Sequence, residues 1–74
     1  MSVVALTEAQ RTALHVVAQN KTWRWPSGEW ARRGGVHGTT LNNLLRLGLI
    51  RLEDVPGEPW LDVRLTLEGR ELIF

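Results

Sequence analysis

The segment Glu53-Asp54-Val55-Pro56-Gly57-Glu58-Pro59 constrains this chain more than any other. It concentrates residues that set turn geometry: prolines that fix φ, a glycine that accepts positive φ, and an aspartate that bonds its own backbone. On either side lie Leu49-Ile50-Arg51-Leu52 and Leu61-Asp62-Val63-Arg64-Leu65, both of which read as strands. A β-hairpin over 49–65 follows. Two strands alone are marginal in water, so the rest of the chain must build a core against them.

There is little chain to do it with. A domain of 74 residues buries only about 60–65% of its unfolded surface. Cysteine is absent, which excludes disulfide staples, thiolate zinc ligands and a thiol nucleophile. Stability must come from the apolar core, with a homodimer as one further source. With 43% hydrophobic and 23% charged residues the composition is globular rather than disordered. No repeat or low-complexity linker divides the chain, so a single domain over 1–74 is expected.

Helix signals surround the hairpin. Thr7-Glu8-Ala9-Gln10 is a capping box, and Ala13, Leu14, Val17 and Ala18 continue at helical spacing, predicting a helix over 7–20. Thr22-Trp23-Arg24-Trp25 alternates and stops at Pro26, predicting a short strand over 22–25 with Trp23 and Trp25 on one side. Ser27 is a plausible N-cap for a helix over 27–33 that Gly34-Gly35 ends, with Trp30 packing into a three-helix core. Leu41, Leu44 and Leu45 predict a helix over 39–47 closed by Gly48. Thr66 caps a last helix over 66–73, which Gly69 weakens. Trp60 is expected against the hairpin. The class expected is α+β, mainly helical.

This order of elements resembles a winged helix-turn-helix. Leu44-Leu45-Arg46-Leu47-Gly48-Leu49-Ile50 resembles the junction of recognition helix and wing in winged-helix regulators, including the multiple-antibiotic-resistance type. Leu65-Thr66-Leu67-Glu68-Gly69-Arg70-Glu71-Leu72 resembles their Leu-Thr-x-x-Gly-Arg-x-Leu segment, and Leu6-Thr7-Glu8-Ala9-Gln10 the opening of their first helix. The similarity runs from Leu6 to Leu72. It implies a three-helix winged helix-turn-helix with a hairpin wing and a short C-terminal helix. It also implies sequence-specific binding of double-stranded DNA, with the helix over 39–47 in the major groove. A regulator of transcription or an accessory factor of recombination is the corresponding role.

The residues of that helix permit the task independently. With the leucines inward, Thr39, Asn42, Asn43 and Arg46 project together at i, i+3, i+4 and i+7. Asn bonds adenine, Arg bonds guanine and the Thr methyl meets thymine, so these four are the candidate base contacts. Lys21, Arg24, Arg32, Arg33, His37 and Thr40 are the candidate phosphate contacts. An ordinary solvated helix face would use the same residue types, and it is the surrounding pattern that tips the balance towards DNA.

Charge distribution sharpens this. The formal net charge is only +1, yet residues 1–52 hold seven basic and two acidic side chains, a balance of +5, and residues 53–74 carry −4. A wing bearing Glu53, Asp54, Glu58 and Asp62 departs from the basic wings of DNA-binding relatives, and phosphates would repel it. Binding through the helix over 39–47 and the Lys21–Arg33 region is therefore expected, with the wing held away. The alternative is a winged-helix protein-interaction module that docks through Trp23, Trp25 and the acidic hairpin. Acidic and basic halves of two copies could also meet head to tail.

Other classes find no support. There is no phosphate loop, no paired acid and base, and only two histidines, on separate elements. No enzyme activity, cofactor, metal or small-molecule substrate is expected. The N-terminus lacks a basic start and a long apolar stretch, and no run is long enough to span a membrane, so an intracellular, cytoplasmic protein is expected. Met1 and the apolar Leu72-Ile73-Phe74 ending fit the expectation of a complete small protein, with the apolar tail a candidate dimer contact.

Overall fold

A computed structural model describes residues 6–19, 22–31 and 34–73. Three helices and one antiparallel sheet make up these residues. In chain order they are α1 (Glu8–Ala18), β1 (Trp23–Arg24), β2 (Trp30–Ala31), α2 (Gly38–Arg46), β3 (Ile50–Asp54), β4 (Leu61–Leu65) and α3 (Leu67–Glu71). The sheet order is β2-β1-β4-β3. The hairpin β3–β4 is thus extended by β1, which lies antiparallel to β4 with Trp23 opposite Asp62.

Local chemistry explains the helix ends. The Thr7 hydroxyl accepts from the Gln10 amide at 3.1 Å, and the Gln10 side chain accepts from the Thr7 amide at 3.0 Å, a complete capping box. At the far end of α2, the Gly48 amide donates to Leu45 O at 3.1 Å and the Leu49 amide to Leu44 O at 3.0 Å. With Gly48 at φ +76° this is a Schellman motif, which turns the chain from helix into strand while Leu44 and Leu49 both stay buried.

The core joins all layers. Ala13, Leu14 and Val17 of α1, Leu41 and Leu44 of α2, and Ile50 and Val63 of the sheet are buried together. Val36 and Leu49 complete the cluster from the connections. Truncating one of the leucines to Ala at such a site costs about 2–5 kcal/mol. α3 is clasped closely onto this body: Gly69 is buried, and a Cβ there would collide with the Leu49 carbonyl. The glycine that looks like a helix weakness is what lets the helix lie against the start of β3. Thr66 completes the clasp, since its hydroxyl accepts from the Gly69 amide at 3.1 Å and donates to Gly48 O at 2.7 Å.

Several expectations need correction. No helix forms over the described part of 27–33, so among the described residues none lies between α1 and α2, and no helix-turn-helix pair is present. Trp25-Pro26-Ser27-Gly28 is instead a reverse turn, with the Gly28 amide donating to Trp25 O at 2.9 Å. Pro at the second position and Gly at the fourth suit a type I turn. Gly28, at φ +96°, then lets the Trp25 amide donate to Glu29 O at 2.8 Å, closing a hairpin between β1 and β2. With that segment extended, the α+β class stands, but "mainly helical" overstates helices of 11, 9 and 5 residues beside a four-stranded sheet. Trp30 lies half-buried on β2 against the core rather than inside a three-helix bundle.

Candidate nucleic-acid interface

Alternation along the paired strands sorts the aromatic and charged residues onto two faces. Arg24 pairs with Trp30 across β1–β2 and with Leu61 across β1–β4, on the side that meets the helices. Trp23 pairs with Asp62 and points to the opposite, outer side. Trp25 and Trp60 join Trp23 there in a cluster with ring centroids 5.4 to 6.2 Å apart. Trp23 and Trp25 thus share one side, and Trp60 packs on both.

On the inner side, three residues from three elements form a chain. The Arg24 guanidinium lies over the Trp30 ring, 4.8 Å from its centroid, while its Nε donates to Gly28 O at 3.3 Å. Stacking of this kind is worth about 0.5–1 kcal/mol where water has access. The Trp30 indole Nε1 donates in turn to Asn42 Oδ1 on α2 at 3.1 Å. Half-buried tryptophan needs such a partner for its N–H. Nothing in the spacing of residues 30 and 42 signals this bond; the need of the indole for an acceptor was the only available clue.

α2 carries the four candidate base contacts along one face. Thr39, Asn42 and Arg46 are exposed and Asn43 is half-buried. Arg46 Nη2 donates to Asn43 Oδ1 at 2.7 Å. Indole and guanidinium nitrogens only donate, so each must face an amide oxygen. That fixes the orientation of both asparagines: the oxygens of Asn42 and Asn43 are engaged within the chain, and their NH2 groups point elsewhere. The face therefore offers chiefly donors, from two amides, a guanidinium and the Thr39 hydroxyl. Bidentate pairing with adenine needs donor and acceptor together, whereas guanine presents two acceptors in the major groove.

At its start, α2 is bare. His37 occupies the N-cap at φ −71°, ψ 142° without a side-chain hydrogen bond to the helix, and the first turn holds no acidic residue. His37 is exposed and Thr40 half-buried. Both line a recess of about 300 Å3 together with Glu8, Thr12 and Gly34–Val36. Helix N-terminal amides left without a cap favour anions. Of the remaining candidate phosphate contacts, Arg24 is drawn onto Trp30, and Lys21, Arg32 and Arg33 lie outside the described residues.

The hairpin differs in charge and in pairing. Glu53, Asp54 and Glu58 are exposed. Arg51 Nη1 is 3.2 Å from Glu53 Oε2, and Arg64 reaches Asp62 at 3.0 Å and Glu53 at 3.8 Å. A larger open recess of about 800 Å3 touches this ladder through Arg51, Glu53 and Arg64, with Arg70 at its rim. Two of its arginines are already paired with carboxylates. Among the described residues no group of three or more His, Asp or Glu side chains is placed to hold a metal ion, and no helix is long and apolar enough to cross a membrane. The chain matches no protein-family model, no curated protein and no solved structure.

Proposed function

We propose that the chain is a small winged-helix protein that binds double-stranded DNA sequence-specifically through α2, as a regulator of transcription or an accessory factor of recombination. The observation that carries this is the acid-free donor face of Thr39, Asn42 and Arg46, all exposed, with half-buried Asn43. The connectivity supports it. A first helix leads to a short strand paired on β4, a helix runs directly into a hairpin, and the hairpin leads into a C-terminal helix. The departure from a winged helix-turn-helix is that a β-turn hairpin stands where the first helix of the pair would be. In that geometry α2 enters the major groove. The donors of Asn42, Asn43 and Arg46 then meet acceptor edges, with guanine favoured. Thr39, Thr40 and the uncapped N-terminus of α2 hold a backbone phosphate.

Titration of duplex DNA libraries at several salt concentrations tests the reading. Binding should weaken as salt rises, because phosphate neutralisation releases counterions. Arg46→Ala should lose about 1–3 kcal/mol on the preferred sequence and flatten the preference. Absence of salt-dependent binding would remove the proposal.

A second reading, docking on a protein, is favoured by the half-buried Trp23–Trp25–Trp60 cluster beside the hairpin carboxylates, since aromatic side chains concentrate in interfaces. Retention on a DNA resin supports the first reading. Flow-through there, together with a partner lost on Trp25→Ala, supports the second.

A further inference from the structure

β3 is an end strand of the sheet, and among the described residues its one strand neighbour is β4. Hydrogen bonds fix which of its backbone groups face outward. The Thr66 amide donates to Leu49 O at 3.1 Å, in register with the β3–β4 ladder, and the Val63 amide turns the other way, to Thr22 O at 3.3 Å. N–H and C=O of one residue point to the same side of an antiparallel strand, and successive residues alternate. Leu49, Arg51 and Glu53 therefore address β4. Ile50, Leu52 and Asp54 present their amides and carbonyls to the outside.

The side chains of this edge carry an unusual pattern. Within the chain, like faces like: Arg51 is the register partner of Arg64, and Glu53 of Asp62. Like charges directly opposite are unfavourable, and the ion pairs that relieve them run along and diagonally across the strands. Arg51 and Glu53 remain about half exposed, at 55% and 47%. Their opposite signs at positions two apart make the edge complementary to itself.

We propose that β3 pairs antiparallel with β3 of a second copy, about a twofold axis at Leu52, joining the two sheets into one. Outward-facing residues must meet outward-facing residues, which restricts the axis. An axis at Arg51 sets Arg51 against itself, and one at Glu53 sets Glu53 against itself. The axis at Leu52 sets Arg51 opposite the partner's Glu53 twice, at the non-hydrogen-bonded positions where side chains approach most closely. It also matches Leu52 with itself and Ile50 with the partner's Asp54, using all three outward residues of each strand. Edge charges of one sign keep sheets apart; this alternation selects one register instead. The contact is isologous, so it closes as a dimer, unlike a head-to-tail assembly of acidic and basic halves. It does not depend on the DNA reading.

Sedimentation of the protein without DNA tests it. The native chain should move with concentration from its 8.4 kDa monomer mass towards twice that value, less readily at high salt. Arg51→Glu and Glu53→Arg each place like charges across the axis, and each should weaken association roughly tenfold or more. Mixing the two variants sets two Glu against two Arg, so an equimolar mixture should dimerise where neither variant alone does. Helical circular dichroism and thermal unfolding of each variant establish that it is folded. A native chain that stays monomeric to millimolar concentration overturns the proposal. So do folded single variants that associate as well as the native chain, or a mixture that remains monomeric.

Discussion

The two exposed regions that flank the core, the α2 face and the β3–β4 hairpin, handle charge in opposite ways. On α2 the chain uses its hydrogen bonds to absorb acceptors: Trp30 takes the oxygen of Asn42 and Arg46 takes that of Asn43, leaving donors outward. On the hairpin, arginines are absorbed by carboxylates, and Glu53 alone serves both Arg51 and Arg64. One surface thereby presents chiefly donors, and the other carries an acidic tip beside a balanced ladder. A net charge of +1 conceals the contrast altogether. Where charge is placed, and what it is already bonded to, decides which surface a phosphate can approach.

The largest effect should come from opening the clasp that both regions share. Gly69→Ala forces a Cβ into the Leu49 carbonyl at the joint between α2 and β3. It should destabilise the fold by about 2–3 kcal/mol, read as a lower urea midpoint. An unchanged midpoint would mean that α3 sits apart from the joint. Trp30→Phe keeps the ring under Arg24 but deletes the donor to Asn42. A loss of about 1 kcal/mol is expected in denaturation. The freed Asn42 amide should also accept adenine, so selected sites should shift from guanine towards adenine at one position. The smallest effect is on the acidic side. Glu58→Gln at the exposed tip should raise DNA affinity by less than about threefold, and the gain should vanish in high salt. A larger gain would place the tip against DNA and erase the contrast.

The readable parts of the sequence were those whose chemistry is local. Thr7 and Gln10 cap α1 within four residues, Gly48 has to leave α2 at positive φ, and Pro56-Gly57 has to turn. None of these depends on distant partners. The β1–β2 hairpin was missed because Ser27 followed by Glu29 resembles a helix start, although Pro26-Ser27-Gly28 between two tryptophans carries turn chemistry as well. Two competing local signals were resolved by a distant fact, the place for another strand beside β1. The four base-contact candidates were legible as a helical face, yet the direction of their amides was not. It depends on Trp30 and Arg46, and a bond between residues 30 and 42 leaves no periodic trace. Gly69 was visible only as a poor helix former, because its close neighbour, Leu49, is twenty residues away.

The contrast between the two regions is tested most directly by amide and indole chemical-shift changes as duplex DNA is added at low salt. Thr39, Asn42, Asn43, Arg46 and the Trp30 indole should move together and saturate, while Glu53 to Glu58 stay in place. Shifts concentrated in the hairpin, with α2 unmoved, would contradict the account.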